Sequence, residues 1–263
     1  MLPVMLVTVK GVFRDRVFHG ILMTSLIFLA IPAVSTLSMR QATELSITLS
    51  LSVISFVLLL LAVFLGSTSL WKDMERRYTY SIVGLPLSRG AYVLGKFVGL
   101  TSFVLLVSLV LGAITCGVVL FVHGIYPPSR PILWHILFLS IIFDSLKYIL
   151  LLAISFLFSS VSTSFFLPVF GTISTFLVGS ATQQVYDYVH SPASQSLPVL
   201  LREITSLLYY LLPNFAAFNL KVNAIYAIPP STGGLFLTVA YFIIYTALTL
   251  LLATTIFSRR ELQ

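Results

Sequence analysis

Apolar residues in this chain come in six long runs, with neither the strict alternation of a strand nor the narrow stripe of a soluble helix. A helix that crosses about 30 Å of hydrocarbon at about 1.5 Å per residue needs about 20 mostly apolar residues. Residues 17–37, 45–71, 97–122, 132–158, 163–182 and 234–257 meet that requirement. Two further runs, 207–212 and 215–228, are too short or too interrupted to cross and read as interfacial or re-entrant pieces. The pattern predicts an all-α polytopic membrane protein, one domain over residues 1–263, with six transmembrane helices.

Composition removes the alternatives. Of 263 residues, 58% are hydrophobic and 9% charged, with a mean hydropathy of +1.05. A soluble domain devotes about 25% of its residues to charge, and disordered chains are poor in apolar and aromatic residues. Neither class fits. The lone Cys116 excludes an internal disulfide, and His19, His123, His135 and His190 lack metal-ligand spacing, so no metal or catalytic site is expected.

Charge then sets the orientation. The net charge is +7, from 15 Lys and Arg against 8 Asp and Glu. With the N-terminus inside, the inner flanks hold Lys10, Arg14, Arg16, Lys72, Arg76, Arg77, Arg89, Lys96, Arg259 and Arg260, whereas the outer flanks hold only Arg40, Arg130, Arg202 and Lys221. Basic residues favour the cytoplasmic side, so both termini are expected inside. The Ala33-Val34-Ser35 triplet has the form of a cleavage site, but the region before it is long and itself apolar, so the first span is expected to be retained.

Three segments between the spans carry more content than a connection needs. In residues 1–16, Leu2, Met5, Leu6, Val9, Val12 and Phe13 recur at helical spacing, which predicts a helix along the inner membrane surface. Residues 72–96 form a cytoplasmic segment that reads as helix, tight break, helix. Trp71, Met74, Tyr78 and Ile82 form its apolar face, Gly84 and Pro86 its break, and Ser88 the cap of the next helix. The third, residues 183–233, is external, rich in proline and aromatic residues, and expected to cap the outer surface and dip into it.

Within the second segment, Gly90 to Lys96 matches seven positions of the phosphate-binding loop GxxxxGK[ST], but Phe97 replaces the hydroxyl that would hold magnesium. No strand pattern precedes it. The run is expected to lead into the bilayer, with Lys96 reaching back to the inner interface.

On these residues the chain resembles the ABC-2 type permeases, the transmembrane subunits of ATP-binding-cassette transporters. The resemblance rests on the order Asp73, Glu75, Arg76, Arg77, Thr79, then Pro86, Ser88, Arg89, then Leu94, Gly95, Lys96, with Arg14-Asp15 before the first span and Ser258 to Leu262 at the end. Tyr78 stands where the family usually has glycine. The resemblance implies a non-catalytic half-transporter, mostly of the exporter kind, in the cytoplasmic membrane of a prokaryote. Its implied partners are a separate ATPase that binds ATP and magnesium, a second permease copy (a homodimer) and lipid, with no nucleic acid. It further implies that the ATPase docks on Asp73, Glu75, Arg76, Arg77, Tyr78, Thr79, Pro86, Ser88 and Arg89, as a coupling helix between spans two and three.

Two features lie inside the predicted spans. Asp144 and Lys147 are one helical turn apart in the fourth, where an unpaired charge costs several kcal/mol. They are either a neutralised packing pair or part of a hydrated translocation surface. In the fifth, Ser164, Pro168, Gly171, Thr175 and Gly179 form a small-residue stripe that lets helices approach closely. That stripe serves either a contact within the chain or the permease dimer, where by resemblance the first and fifth spans often meet. No GxSxG or HExxH motif suggests an intramembrane enzyme. An assembly or cofactor-maturation factor that uses the same ATPase coupling without moving a solute stays open.

Overall fold

The computed structural model describes residues 2–38, 41–75, 88–126, 131–191 and 198–259. Every element among them is helical. In chain order they are α1 (Leu2–Phe13), α2 (Arg16–Thr24), α3 (Ile31–Ser35), α4 (Ala42–Leu60), α5 (Gly66–Glu75), α6 (Arg89–Ile125), α7 (Trp134–Val161), α8 (Phe166–Val189), α9 (Val199–Leu211), α10 (Lys221–Tyr226) and α11 (Thr232–Arg259). A 3-10 turn, Ser25–Ala30, joins α2 to α3, and a π turn, Leu61–Leu65, joins α4 to α5.

Five of these stretches are long and apolar enough to cross a membrane: Phe18–Ser35, Ala42–Asp73, Arg89–Ile125, Trp134–Val161 and Thr232–Arg259. The sequence pattern predicts a sixth at residues 163–182. That stretch is indeed helical as α8, and at 24 residues it is long enough. Its composition sets it apart, because Gly171, Thr172, Ser174, Thr175, Gly179 and Ser180 dilute its apolar side chains and the helix runs on through Gln183, Gln184 and Asp187. At about 55 Å, α6 is longer than the hydrocarbon layer, so the span expected at 97–122 continues as helix at both ends.

The irregular turns have local causes. Pro32 lacks the N–H that would bond the Phe28 carbonyl, and that carbonyl instead accepts from Ile31 N–H, tightening the turn to 3-10 geometry. Ser88 caps α6 as predicted, its hydroxyl accepting from Ala91 N–H at 3.2 Å. α10 stops at Ala227, which is left-handed at φ 55°, and the Asn223 carbonyl accepts there from both Ala227 and Ile228 N–H.

α7 is the central helix. Of its apolar window 78% is buried, against 17% for α11. It packs against α4, α5, α6, α8, α10 and α11. α1 lies along α6, where Gly99 leaves room for the α1 backbone: a Cβ there would stand 3.1 Å from the Met5 carbonyl oxygen. Edge-to-face contacts of Phe103 with Phe13 (5.3 Å) and Phe18 (5.0 Å) seat the α1–α2 corner. Residues 183–233 do not form one loop. α8 continues to Val189, α9 folds back on α8, and Phe215 and Phe218 of the following 3-10 turn are buried against α7 and α8.

Candidate functional site

Polar side chains gather at one end of the bundle and at one level within it. At the end, four elements meet: the start of α2, the end of α5, the start of α6 and the end of α11. Lys72 Nζ donates to Asp15 Oδ2 at 2.6 Å. Asp73 accepts from both Lys96 and Tyr92, and Lys96 also donates to the Ser69 carbonyl at 2.6 Å. Arg89 donates to the Ser258 carbonyl at 3.1 Å. Lys96 therefore pairs with Asp73 across the α5–α6 junction. A carboxylate one helix away outcompetes water for a side chain only 11% exposed.

Of the residues expected to dock an ATPase, Asp73, Ser88 and Arg89 occupy this end and tie α5, α6 and α11 together. Glu75 ends α5. Arg76, Arg77, Tyr78, Thr79 and Pro86 lie outside the described residues, as does the predicted break at Gly84. Gly90 to Phe97 is regular helix from Arg89 onward, so this run forms no phosphate-cradling loop. Trp71 packs its ring 5.4 Å from that of Phe165, at the α7–α8 junction.

At the inner level, Lys147 donates to Asp144 Oδ1 and Ser55 Oγ donates to Asp144 Oδ2 at 2.6 Å. All three are buried, and Lys147 Nζ lies 4.5 Å from the centre of the Tyr148 ring. The pair is thus closed within α7 and bridged to α4. Ser55 has no mark in the sequence beyond a hydroxyl in an apolar run. Beside the pair, Ser108 and Ser145 share a hydrogen bond at 2.6 Å, and three turns further along α7 Ser67 and Ser155 share another at 3.0 Å.

Lys221 opens α10, which packs against α4 and α7. It is half-buried, and burial lowers its pKa from the ordinary lysine value; Asp144 partly offsets this and Lys147 adds to it. Beside α10, a cavity of about 230 Å³ separates it from the start of α4, lined by Gln41, Glu44, Thr48, Ile225 and Tyr226 among others.

The small-residue stripe has its occupants within the chain. A Cβ on Gly171 would stand 3.2 Å from the Phe158 ring of α7, and one on Gly179 would overlap the Pro213 carbonyl. Thr175 returns its hydroxyl to the Gly171 carbonyl at 2.8 Å.

With this arrangement in view, the family is decided by the match of nearly the whole chain, residues 9–262, to the model of the ABC-2 family transporter proteins. The chain belongs to the ABC-2 transporter family. It is therefore a transmembrane permease component of the ABC transporter type, a part of transport machinery rather than a catalyst in its own right. No curated protein matches it. In this ABC-2 chain a polar network joins the end of α5 to the start of α6, and α7 carries the ion pair of Asp144 with Lys147 within one spanning helix.

Proposed function

We propose that this chain is the membrane half of an ABC exporter, and that a separate ATPase, binding ATP and magnesium, drives it through the segment 72–96. The observation that carries the reading is the network of Lys96, Asp73 and Tyr92 at one end of the bundle, in a chain of this family. It joins the end of one spanning helix to the start of the next, so a force on the intervening residues moves two long helices together. The same end holds Lys10, Lys72, Arg89 and Arg259, and the positive-inside rule supports placing it in the cytoplasm with both termini inside. α8 then serves as the fifth of six spans, since its length suffices and Gly171 and Gly179 turn toward Phe158 and Phe215.

On this reading two copies enclose the pathway in a prokaryotic cytoplasmic membrane, and ATP-driven closure of the ATPase pair exchanges inward-open and outward-open states. The test is co-expression of the full chain with an ABC ATPase encoded beside its gene. Co-elution in detergent, lost when Arg76 and Arg77 are both replaced by Glu while the chain still folds, supports the assignment. An ATPase that never co-elutes with the intact chain refutes it. The second reading, an ATPase-coupled assembly or maturation factor, shares the docking and is separated by substrate-stimulated ATP hydrolysis in proteoliposomes.

A further inference from the structure

α9 is built inside out. Arg202, Thr205, Ser206 and Tyr209 recur at steps of three and four and are half-buried, so its polar face is the one turned to the protein. The helix it packs on is α8. Leu200, Leu201, Ile204, Leu207, Leu208 and Leu211 fill the opposite face and are between 41% and 69% exposed. A helix at a boundary with water has the reverse arrangement, with its apolar stripe inward and its polar residues outward.

The seam between α8 and α9 answers its own polar groups. Gln183 Oε1 of α8 accepts from the Tyr209 hydroxyl at 3.0 Å and from Asn214 Nδ2 at 2.7 Å, and Gln183 Nε2 donates to Asp187 Oδ1 at 2.9 Å. The Tyr186 ring stacks between those of Tyr209 and His190, 4.2 Å and 4.1 Å away. Polar groups that hydrocarbon would penalise are thus satisfied inside the pair.

The outward face of α9 continues that of a spanning helix. The Leu211 carbonyl accepts from the Tyr245 hydroxyl of α11 at 3.0 Å, and Asn214 N–H donates to the Tyr241 hydroxyl at 3.0 Å. Tyr245 stands 13 residues beyond Thr232, about 20 Å along α11, near the middle of that helix. Its neighbours Ile244 and Leu248 are themselves 60% and 58% exposed. Glu203, exposed at the edge of the apolar face, lies near the start of α9, the end away from Tyr245. Helices that associate in membranes use Gly, Ala, Ser and Thr to approach closely, and the outward face of α9 has only leucine and isoleucine, which suit acyl chains.

We propose that the outward face of α9 meets the acyl chains of the leaflet remote from the Asp73 network, and that α9 is the apolar cover of the polar end of α8. α9 is then a membrane element, not part of an external cap, and it lets α8 carry Gln183 within the bilayer. The placement stands without the transport reading, and no ATPase enters its test.

The experiment uses the full chain with Cys116→Ala, reconstituted in vesicles of phosphatidylcholine and phosphatidylglycerol. Single cysteines are introduced by Leu207→Cys, by Leu211→Cys and, as the reference on a spanning helix, by Leu248→Cys. Each carries a nitroxide whose collisions with oxygen, concentrated in hydrocarbon, are compared with those of a water-soluble nickel chelate. Labels at 207 and 211 are expected to meet oxygen in preference to nickel, as at 248. Reaction of the same cysteines with a membrane-impermeant maleimide is expected to be lost in vesicles and regained in SDS. A preference for nickel, or maleimide reaction in intact vesicles, places the face in water and overturns the proposal. Protection from both oxygen and nickel, or a disulfide-linked dimer of either α9 variant, places a second copy there and overturns it equally. Where a variant loses its monodisperse gel-filtration peak, Ile204→Cys or Leu208→Cys takes its place.

Discussion

Gly179→Ala isolates the close approach that seats the 3-10 turn of Phe215 on α8. A methyl group at 179 would overlap the Pro213 carbonyl oxygen and stand 2.8 Å from Phe215 Cδ2. The first neighbour is backbone, so the turn as a whole must move, and overpacking of this kind costs about 1–3 kcal/mol. Alanine in a helix interior also gains about 0.5–1 kcal/mol over glycine, which hides part of the loss. Gly117→Ala removes that ambiguity, since Gly117 sits in helix α6 with nothing within 4 Å of its added Cβ. Propensity cancels between the two variants, and their difference of about 1–3 kcal/mol is the overlap alone. For a chain of this size that corresponds to roughly 2–12 °C. Thermal loss of the monodisperse gel-filtration peak in detergent measures it. If Gly179→Ala melts at or above Gly117→Ala, the stripe does not hold the turn and the packing argument is wrong.

Replacing Asp144 by Asn leaves Lys147 buried without its carboxylate and is expected to cost about 3–5 kcal/mol, whereas the double change Asp144→Asn with Lys147→Met recovers most of it. Equal yields of folded protein from the single and double variants would remove the pair as the cause. Ala227→Gly relieves a left-handed residue that has a Cβ and is expected to stabilise by about 0.5–1 kcal/mol; a lower melting temperature would show that the φ of 55° carries no strain.

Length and apolar content made the spanning helices legible, because the hydrocarbon layer demands runs that nothing else in the chain imitates. Ser88 was legible for a similar reason, as a hydroxyl placed directly before a helix with a proline two residues earlier. α8 was legible only as a helix. Glycine and hydroxyl residues at steps of three and four announce close contact, but the partners that fill the space, the Phe158 ring and the Pro213 carbonyl, come from other parts of the chain. The pairing of Lys96 with Asp73 and of Ser55 with Asp144 was hidden in the same way, the second joining residues 89 apart. Local pattern reports which groups need partners. Only the tertiary fold says which partners they find.

The π turn at Leu61–Leu65 follows from a mismatch between two helices. Ser55 meets Asp144 and Ser67 meets Ser155, so 12 residues along residues 42–75 must match 11 residues along α7. At about 100° per residue, 11 steps bring α7 round by about 20° beyond whole turns, leaving both of its polar groups on one face. Twelve regular steps on the opposing helix would leave Ser67 about 120° away from Ser55, facing elsewhere. The wide turn absorbs one residue without the usual rotation and restores the alignment. It also sets Gly66 against Ser155, where a Cβ would come within 2.7 Å of the Ser155 hydroxyl. Deleting the buried Ala62 should therefore yield an unbroken α-helix that keeps both contacts, at the cost of repacking three or so apolar side chains, whereas inserting an alanine at the same point rotates Ser67 away and breaks the lower contact. The deletion is expected to melt well above the insertion. If the deletion is as damaging as the insertion, the turn is not compensating for register, and the two serine contacts do not set the alignment of these helices.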